Sequence, residues 1–145
     1  MPEQNYANHV RRAPRGFYAA ALIGVFIIVY SAVLLLGQCE DGWMACRLPL
    51  LLHLGGWGLL LTTYFSRMFA LKAQDRAIRA EETLRYFMLT GQRPDSRLNL
   101  RQFIALRFAS DEEFPLLCRK AADENLSADQ IKMQIRNWRA DHHRV

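Results

Sequence analysis

The sequence predicts an all-α fold in which two transmembrane helices form a hairpin, the second helix extends into a stalk, and a small three-helix module follows. Two apolar runs, residues 17–37 and 48–66, contain no acidic residue, lysine or arginine. As a helix, each is long enough to cross the ~30 Å hydrocarbon core of a bilayer. Residues 62–89 contain neither proline nor glycine, so the second helix is expected to continue beyond its apolar run. No segment alternates as a β-strand does.

Composition divides the chain into four segments. Residues 1–16 form a polar arm, and residues 17–66 form the hairpin with its loop at 38–47. The stalk covers residues 67–90 and the helical module residues 91–145. The second helix is predicted to begin at Pro49, because proline suits a first helical turn, and to end at Gly91.

The charge pattern predicts that both termini lie in the cytoplasm. Three arginines precede the first apolar run and four basic residues follow the second closely, whereas the loop holds two acids against one arginine. Cytoplasmic flanks of membrane spans carry such a basic excess. We therefore expect a multi-pass membrane protein whose loop at residues 38–47 faces away from the cytoplasm. The net charge of +5 is assigned to these flanks and not to nucleic-acid binding.

A seam of mainly small residues follows the second helix at alternating spacings of three and four, the pattern of a coiled coil. Its partner is expected to be the same helix of a second copy or a helix from the carboxyl-terminal part of this chain. The seam comprises Thr63, Ser66, Ala70, Ala73, Ala77, Ala80, Leu84 and Phe87.

The first apolar run places three small residues on one face, Ala20, Gly24 and Ser31. Small residues allow membrane helices to approach closely. This face is therefore expected to contact the second span.

Two further features of the hairpin carry chemistry. His53 lies within the second span, where an ionisable side chain indicates function by default; it lies close enough to the outer interface to contact headgroups instead. Cys39 and Cys46 share the loop, where a periplasmic disulfide is allowed, and two free thiols are the alternative. Cys118 is expected to be a buried core residue.

Three short helices are predicted in the module. The first covers residues 100–109, and the second begins at residues 110–113 with Asp111 as its cap. The third begins with a capping box at residues 127–130. Its core-facing stripe is Ile131, Ile135 and Trp138.

No constellation of catalytic or metal-ligating residues is present in the sequence. Phosphate-binding, dinucleotide-binding and nucleophile-elbow motifs are lacking, as are the spacings of a zinc site. His142 and His143 are adjacent, which is poor spacing for a metal. We therefore expect no cofactor, no metal, no small-molecule substrate and no enzymatic activity.

Three stretches together resemble an uncharacterised bacterial family of small two-span membrane proteins, known as a domain-of-unknown-function family. They are residues 4–9 (QNYANH), 105–113 (ALRFASDEE) and 137–141 (NWRAD), with Arg144 and Val145 following. The resemblance covers nearly the whole chain and implies a bacterial inner-membrane protein. It supplies no catalytic residue, and it directs attention to the arm around Asn5 and His9. The family often has an aromatic residue where this chain has His142.

The function expected from these patterns is that of a non-enzymatic anchor or scaffold subunit that acts through helix packing. Its partners are the lipid bilayer and either a second copy or a larger membrane complex. The alternative is a subunit of an oligomeric transporter or channel, because two spans cannot enclose a pore alone.

Overall fold

The computed structural model describes residues 4–8, 12–38 and 42–141, and over these residues the fold is all-α, as predicted. It contains no strand in these ranges, apart from one isolated β-bridge between Ala109 and Trp138. The helices are α1 (Arg15–Gln38), α2 (Trp43–Thr90), α3 (Leu100–Leu106), α4 (Phe114–Asp123) and α5 (Ala128–Gln134).

The chain divides into two compact units. The hairpin unit is Arg12–Ala70, and the second, which we call the helical unit, combines Met1–Arg11 with Leu71–Val145. Helix α2 contributes to both, because its 48 residues run without interruption through Ala70.

The hairpin unit holds the two helices that are long and apolar enough to cross a membrane. In the most apolar 18-residue stretch of α1, only 11 % is buried inside the protein, and in the corresponding stretch of α2 the buried share is 17 %. Large apolar side chains such as Leu22, Phe26 and Leu36 are exposed. These two helices therefore do not resemble the core helices of a soluble domain, which bury most of their apolar surface.

Helix α2 begins six residues earlier than predicted, so the expected start at Pro49 was wrong. Pro49 lies inside the helix, where the N–H that it lacks leaves one carbonyl without its usual partner. The preceding Gly42 has a φ of 103°, a conformation that favours glycine and ends the loop. The other end was predicted correctly: Gly91 has a φ of 69° and donates its N–H to the carbonyl of Phe87 at 2.8 Å.

The core of the helical unit is built from one face of α2 and the three short helices. Tyr86 of α2 meets the ring of Phe114 edge-on, with centroids 6.1 Å apart. Gln102 of α3 is fully buried in this core. Its amide nitrogen donates hydrogen bonds to the carbonyl oxygens of Ala121 and Leu126 at 3.2 and 2.9 Å. The other buried members include Leu98, Phe103, Ala105, Leu106, Phe108, Leu117, Cys118 and Ile131.

Three boundaries of the module differ from the predictions. Helix α3 ends at Leu106, and α4 begins at Phe114 with Glu113 in the cap position. Asp111 is therefore not the cap; its carboxylate accepts a hydrogen bond from Arg85 instead. The capping box of α5 is confirmed, with Ser127 and Gln130 bonded reciprocally, but the helix ends before Trp138.

Candidate functional site

A cluster of ionised side chains joins α2 to the segment between α3 and α4. The guanidinium of Arg85 donates to Glu82 at 2.9 Å, to Asp111 at 2.7 Å and to the carbonyl oxygen of Ala109 at 2.7 Å. It also lies over the ring of Phe114, 4.3 Å from the centroid. We call Glu82, Arg85 and Asp111 the Arg85 cluster. Since Glu82 is 7 % exposed, Arg85 supplies the cationic partner that a nearly buried carboxylate requires.

The geometry of the cluster indicates a structural role. Each of the three guanidinium nitrogens donates to an acceptor of this chain, which ties α2 to the segment between α3 and α4. The pattern of the cluster also differs from the helical pair that the sequence suggests. The i,i+4 spacing favours Glu81 as the partner of Arg85, whereas the structure pairs Arg85 with Glu82 and leaves Glu81 exposed.

Residues 4–8 of the polar arm form a turn, and Gln4 contacts the segment that follows α5. Asn5 forms a turn by accepting from the N–H groups of Ala7 and Asn8 at 2.9 and 3.2 Å. Gln4 accepts a hydrogen bond from the N–H of Asp141 at 2.8 Å. The family resemblance drew attention to this arm, although its composition alone predicts disorder. His9, His142 and His143 lie outside the described residues.

A hydrogen-bonded chain links the two helices of the hairpin unit. Trp57 donates its indole N–H to Nε2 of His53 at 3.2 Å, and Nδ1 of His53 lies 3.0 Å from Oγ of Ser31. Ser31 in turn donates to the carbonyl oxygen of Ile28 at 3.0 Å. These directions agree only with a neutral His53 that carries its proton on Nδ1. Both ring nitrogens are engaged, so His53 fastens α2 to α1.

The two helices approach each other closely at a pair of glycines. A Cβ atom on Gly56 would lie 2.8 Å from Cγ1 of Ile28 and 3.2 Å from the carbonyl oxygen of Gly24. A Cβ on Gly24 would lie 2.7 Å from a methyl carbon of Leu60. The contact uses Gly24 and Ser31, both buried, and it therefore falls on the face of α1 that the sequence predicted.

The seam predicted along α2 is unoccupied within the helical unit. The buried positions of α2 there are Ile78, Glu82 and Tyr86, which recur at i, i+4 and i+8 and so form one face. At 100° per residue the seam lies nearly opposite that face. Its members Ala73, Ala77, Ala80, Leu84 and Phe87 are all exposed, and in the hairpin unit Thr63 and Ala70 are half-buried while Ser66 is exposed.

Cavities open on both sides of Leu84. One has a volume of about 620 Å³ and is lined by Arg76, Arg79 and Arg93 together with Ala80, Thr83, Leu84 and Phe87, with no carboxylate among these side chains. The other, about 420 Å³, contains the carboxylates of Glu81, Glu82 and Asp111 together with the guanidinium groups of Arg85 and Arg139. Glu82 and Asp111 are bound by Arg85, so Glu81 is the carboxylate on that side without an ion pair in the described part of the chain.

No group of three or more potential metal-ligating side chains occurs among residues 4–8, 12–38 and 42–141. Cys46 is nearly buried, with its sulfur 3.6 Å from the carbonyl oxygen of Gly42. Cys39 lies outside the described residues, so the Cys39–Cys46 disulfide stays a prediction. Cys118 is buried in the core, as predicted.

Burial should make Cys118 unreactive. Loss of hydration raises the pKa of its thiol to about 12, and the nearby charge of Glu82 acts in the same direction. Since the thiolate is the reactive form, alkylation by iodoacetamide at pH 8 should be at least about a hundredfold slower in the folded chain than in urea. Mass spectrometry of the Cys118 peptide measures the rate. A cysteine at the exposed neighbour, Arg119→Cys, should react at once; equal rates at both positions would contradict a buried Cys118.

Comparison with known proteins places the chain in a family without adding an activity. No curated protein and no solved structure is significantly similar to it. One family matches, over residues 1–145, and its description is a family of unknown function. This chain belongs to that family, DUF6526, as the resemblance of its sequence predicted.

Proposed function

We propose that this chain is a non-enzymatic membrane anchor that self-associates through the exposed seam of α2. In this proposal α1 and the first part of α2 cross a bacterial inner membrane as a hairpin. The arm and the helical unit lie on the cytoplasmic side. The observation that carries the proposal is the exposure of the seam from Ala73 to Phe87, on a stretch of α2 whose opposite face is buried at Ile78, Glu82 and Tyr86.

Two observations support insertion of the hairpin. The apolar side chains of both helices are largely exposed, which is costly in water at ~25 cal/mol per Å² and favourable in lipid. In addition, α1 is packed on α2 through Gly24, Gly56 and the Ser31–His53 bond. A cleaved signal sequence needs no such fit, whereas a permanent span uses small residues and polar contacts in this way.

The contact between Gln4 and Asp141 supports placing both terminal segments on one side. These residues lie before α1 and after α5 and are joined by a hydrogen bond of 2.8 Å. A chain with two spans returns to the side from which it started. The contact fits that topology and does not fit one with a single span.

Self-association is favoured over contact with this chain's own carboxyl-terminal helices. Those helices pack on the face of α2 that contains Tyr86, and the seam stays open. A heptad seam of small residues is complementary to a copy of itself, because two such helices can approach closely along the whole repeat. The transporter alternative has no comparable support, since both ring nitrogens of His53 are engaged within the hairpin.

Cysteine cross-linking in native membranes tests self-association. Ala73→Cys, Ala77→Cys and Ala80→Cys should each form a disulfide between two copies on mild oxidation, because seam positions face each other in a parallel pair. Lys72→Cys is the matched control: it is also exposed but lies about a third of a turn away. The unmodified chain gives the background from its native cysteines. Equal yields at positions 72 and 77, or none along the seam, would contradict the proposal.

A further inference from the structure

We infer that the partner on the seam is a second copy in parallel register, held by an ion pair between Arg76 of one chain and Glu81 of the other. The inference rests on the proposed function and adds the orientation and register of the pair. The spacing of the seam sets the positions: Ala70, Ala77 and Leu84 are a residues, and Ala73, Ala80 and Phe87 are d residues. Arg76 then precedes an a residue and is a g position. Glu81 follows a d residue and is an e position.

The two sides of the seam differ in charge. The g side is basic: Arg76, Arg79 and Arg93 line its cavity without any carboxylate. On the e side Glu81 is exposed, and Arg85 pairs with Glu82 and Asp111 instead. No ion pair within the described residues involves Arg76 or Glu81. The chain thus presents three arginines on the g side of the seam and the carboxylate of Glu81 on the e side, where the exposed Arg139 lines the same cavity.

Parallel pairing brings these two sides together. In a parallel two-stranded coiled coil, a g residue meets the e residue five positions further along the partner helix, and Arg76 and Glu81 have this separation. The two-fold axis repeats the contact, so a dimer gains two identical pairs. An antiparallel dimer pairs g positions with g positions and e positions with e positions, so Arg76 would not meet the partner's Glu81. Two copies anchored in one membrane with the same topology are parallel by necessity.

The positions 76 and 81 provide the test of register. Two differently tagged copies, one carrying Arg76→Cys and the other Glu81→Cys, are co-expressed and treated in membranes with a short bismaleimide. The mixed product between positions 76 and 81 should exceed the 76–76 and 81–81 products at least about fivefold, because only g and e′ positions are adjacent in a parallel pair. Dominant 76–76 and 81–81 products would overturn the inference.

Charge reversal gives an independent readout that does not depend on cross-linker reach. Arg76→Glu and Glu81→Arg should each weaken dimerisation of the full chain in detergent by about fivefold or more, since two exposed pairs become repulsive. The double variant in one chain should return to within about twofold of the original, because reversed pairs attract again. Lys72→Glu, exposed and off the seam, should have no such effect.

The outcomes separate this inference from the proposal beneath it. If disulfides form at Ala77→Cys but the mixed 76–81 product and the charge rescue are both absent, the register is wrong and self-association stands. If the seam disulfides are also absent, the proposed function fails. A double variant that stays as weak as the single ones would likewise overturn the ion pair.

Discussion

Arg85→Met should lower the free energy of unfolding of the full chain in detergent by about 3–5 kcal/mol, the cost of removing one partner of a buried ion pair. The substitution leaves Glu82 buried without its cation and removes the donor that Asp111 and the carbonyl of Ala109 share. It also removes the cation from above the Phe114 ring. Urea unfolding followed by circular dichroism measures the loss.

A second substitution shows whether the loss of stability arises from the buried charge of Glu82 that Arg85→Met leaves unpaired. Replacing both partners, Glu82→Met with Arg85→Met, should recover a large part of the stability, because an apolar pair in place of a buried ion pair is often close to neutral. Arg119→Met is the control, since Arg119 is exposed and has no ion pair in the described part of the chain. A loss below 1 kcal/mol for Arg85→Met would show that the cluster is an ordinary surface network.

Gly56→Ala should destabilise the packing of α1 on α2 by about 1–3 kcal/mol, the usual cost of overpacking a close contact. Its methyl group would lie 2.8 Å from Ile28 and 3.2 Å from the backbone oxygen of Gly24. The side chain of Ile28 can rotate away, but the backbone oxygen can move only if the helices separate. Thermal unfolding in detergent, followed by the fluorescence of Trp57, measures the effect.

The same segment of α2 supplies matched controls for this prediction. Gly55 and Gly58 flank Gly56, and a Cβ atom on either meets nothing within 4 Å. Gly55→Ala and Gly58→Ala should therefore leave the hairpin unchanged or stabilise it slightly, since alanine favours the helix. If all three variants behave alike, the two glycines do not define the closest approach of α1 and α2.

Local sequence signals predicted the helices and their boundaries better than they predicted which residues are in contact. The capping box at Ser127 and the stop at Gly91 were found because each depends on a few neighbouring residues. The start of α2 was missed because proline inside a long apolar helix is tolerated, so Pro49 is not a reliable boundary. Asp111 was assigned as a cap because its spacing is suitable, whereas in the structure a distant arginine binds it.

The contacts that build the site depend on tertiary packing and could not be obtained from spacing. The helical spacing favours Glu81 as the partner of Arg85, and the position of the core decides that Glu82 is buried beside it instead. The contact of Gln4 with Asp141 joins residues at opposite ends of the chain. The face of α1 was predictable, because small residues repeat on it and close approach requires them.

Sided labelling of single cysteines tests the central claim, a membrane hairpin with both terminal segments on one side. Ala7→Cys, Met44→Cys and Asp123→Cys are exposed positions before α1, at the start of α2 and in the helical unit, placed in a chain with Cys39 and Cys46 replaced by serine. A maleimide that cannot cross membranes should label position 44 in intact cells, and positions 7 and 123 only after the cells are opened. Labelling of position 7 or position 123 in intact cells, or recovery of the chain in the soluble fraction without detergent, would contradict the claim.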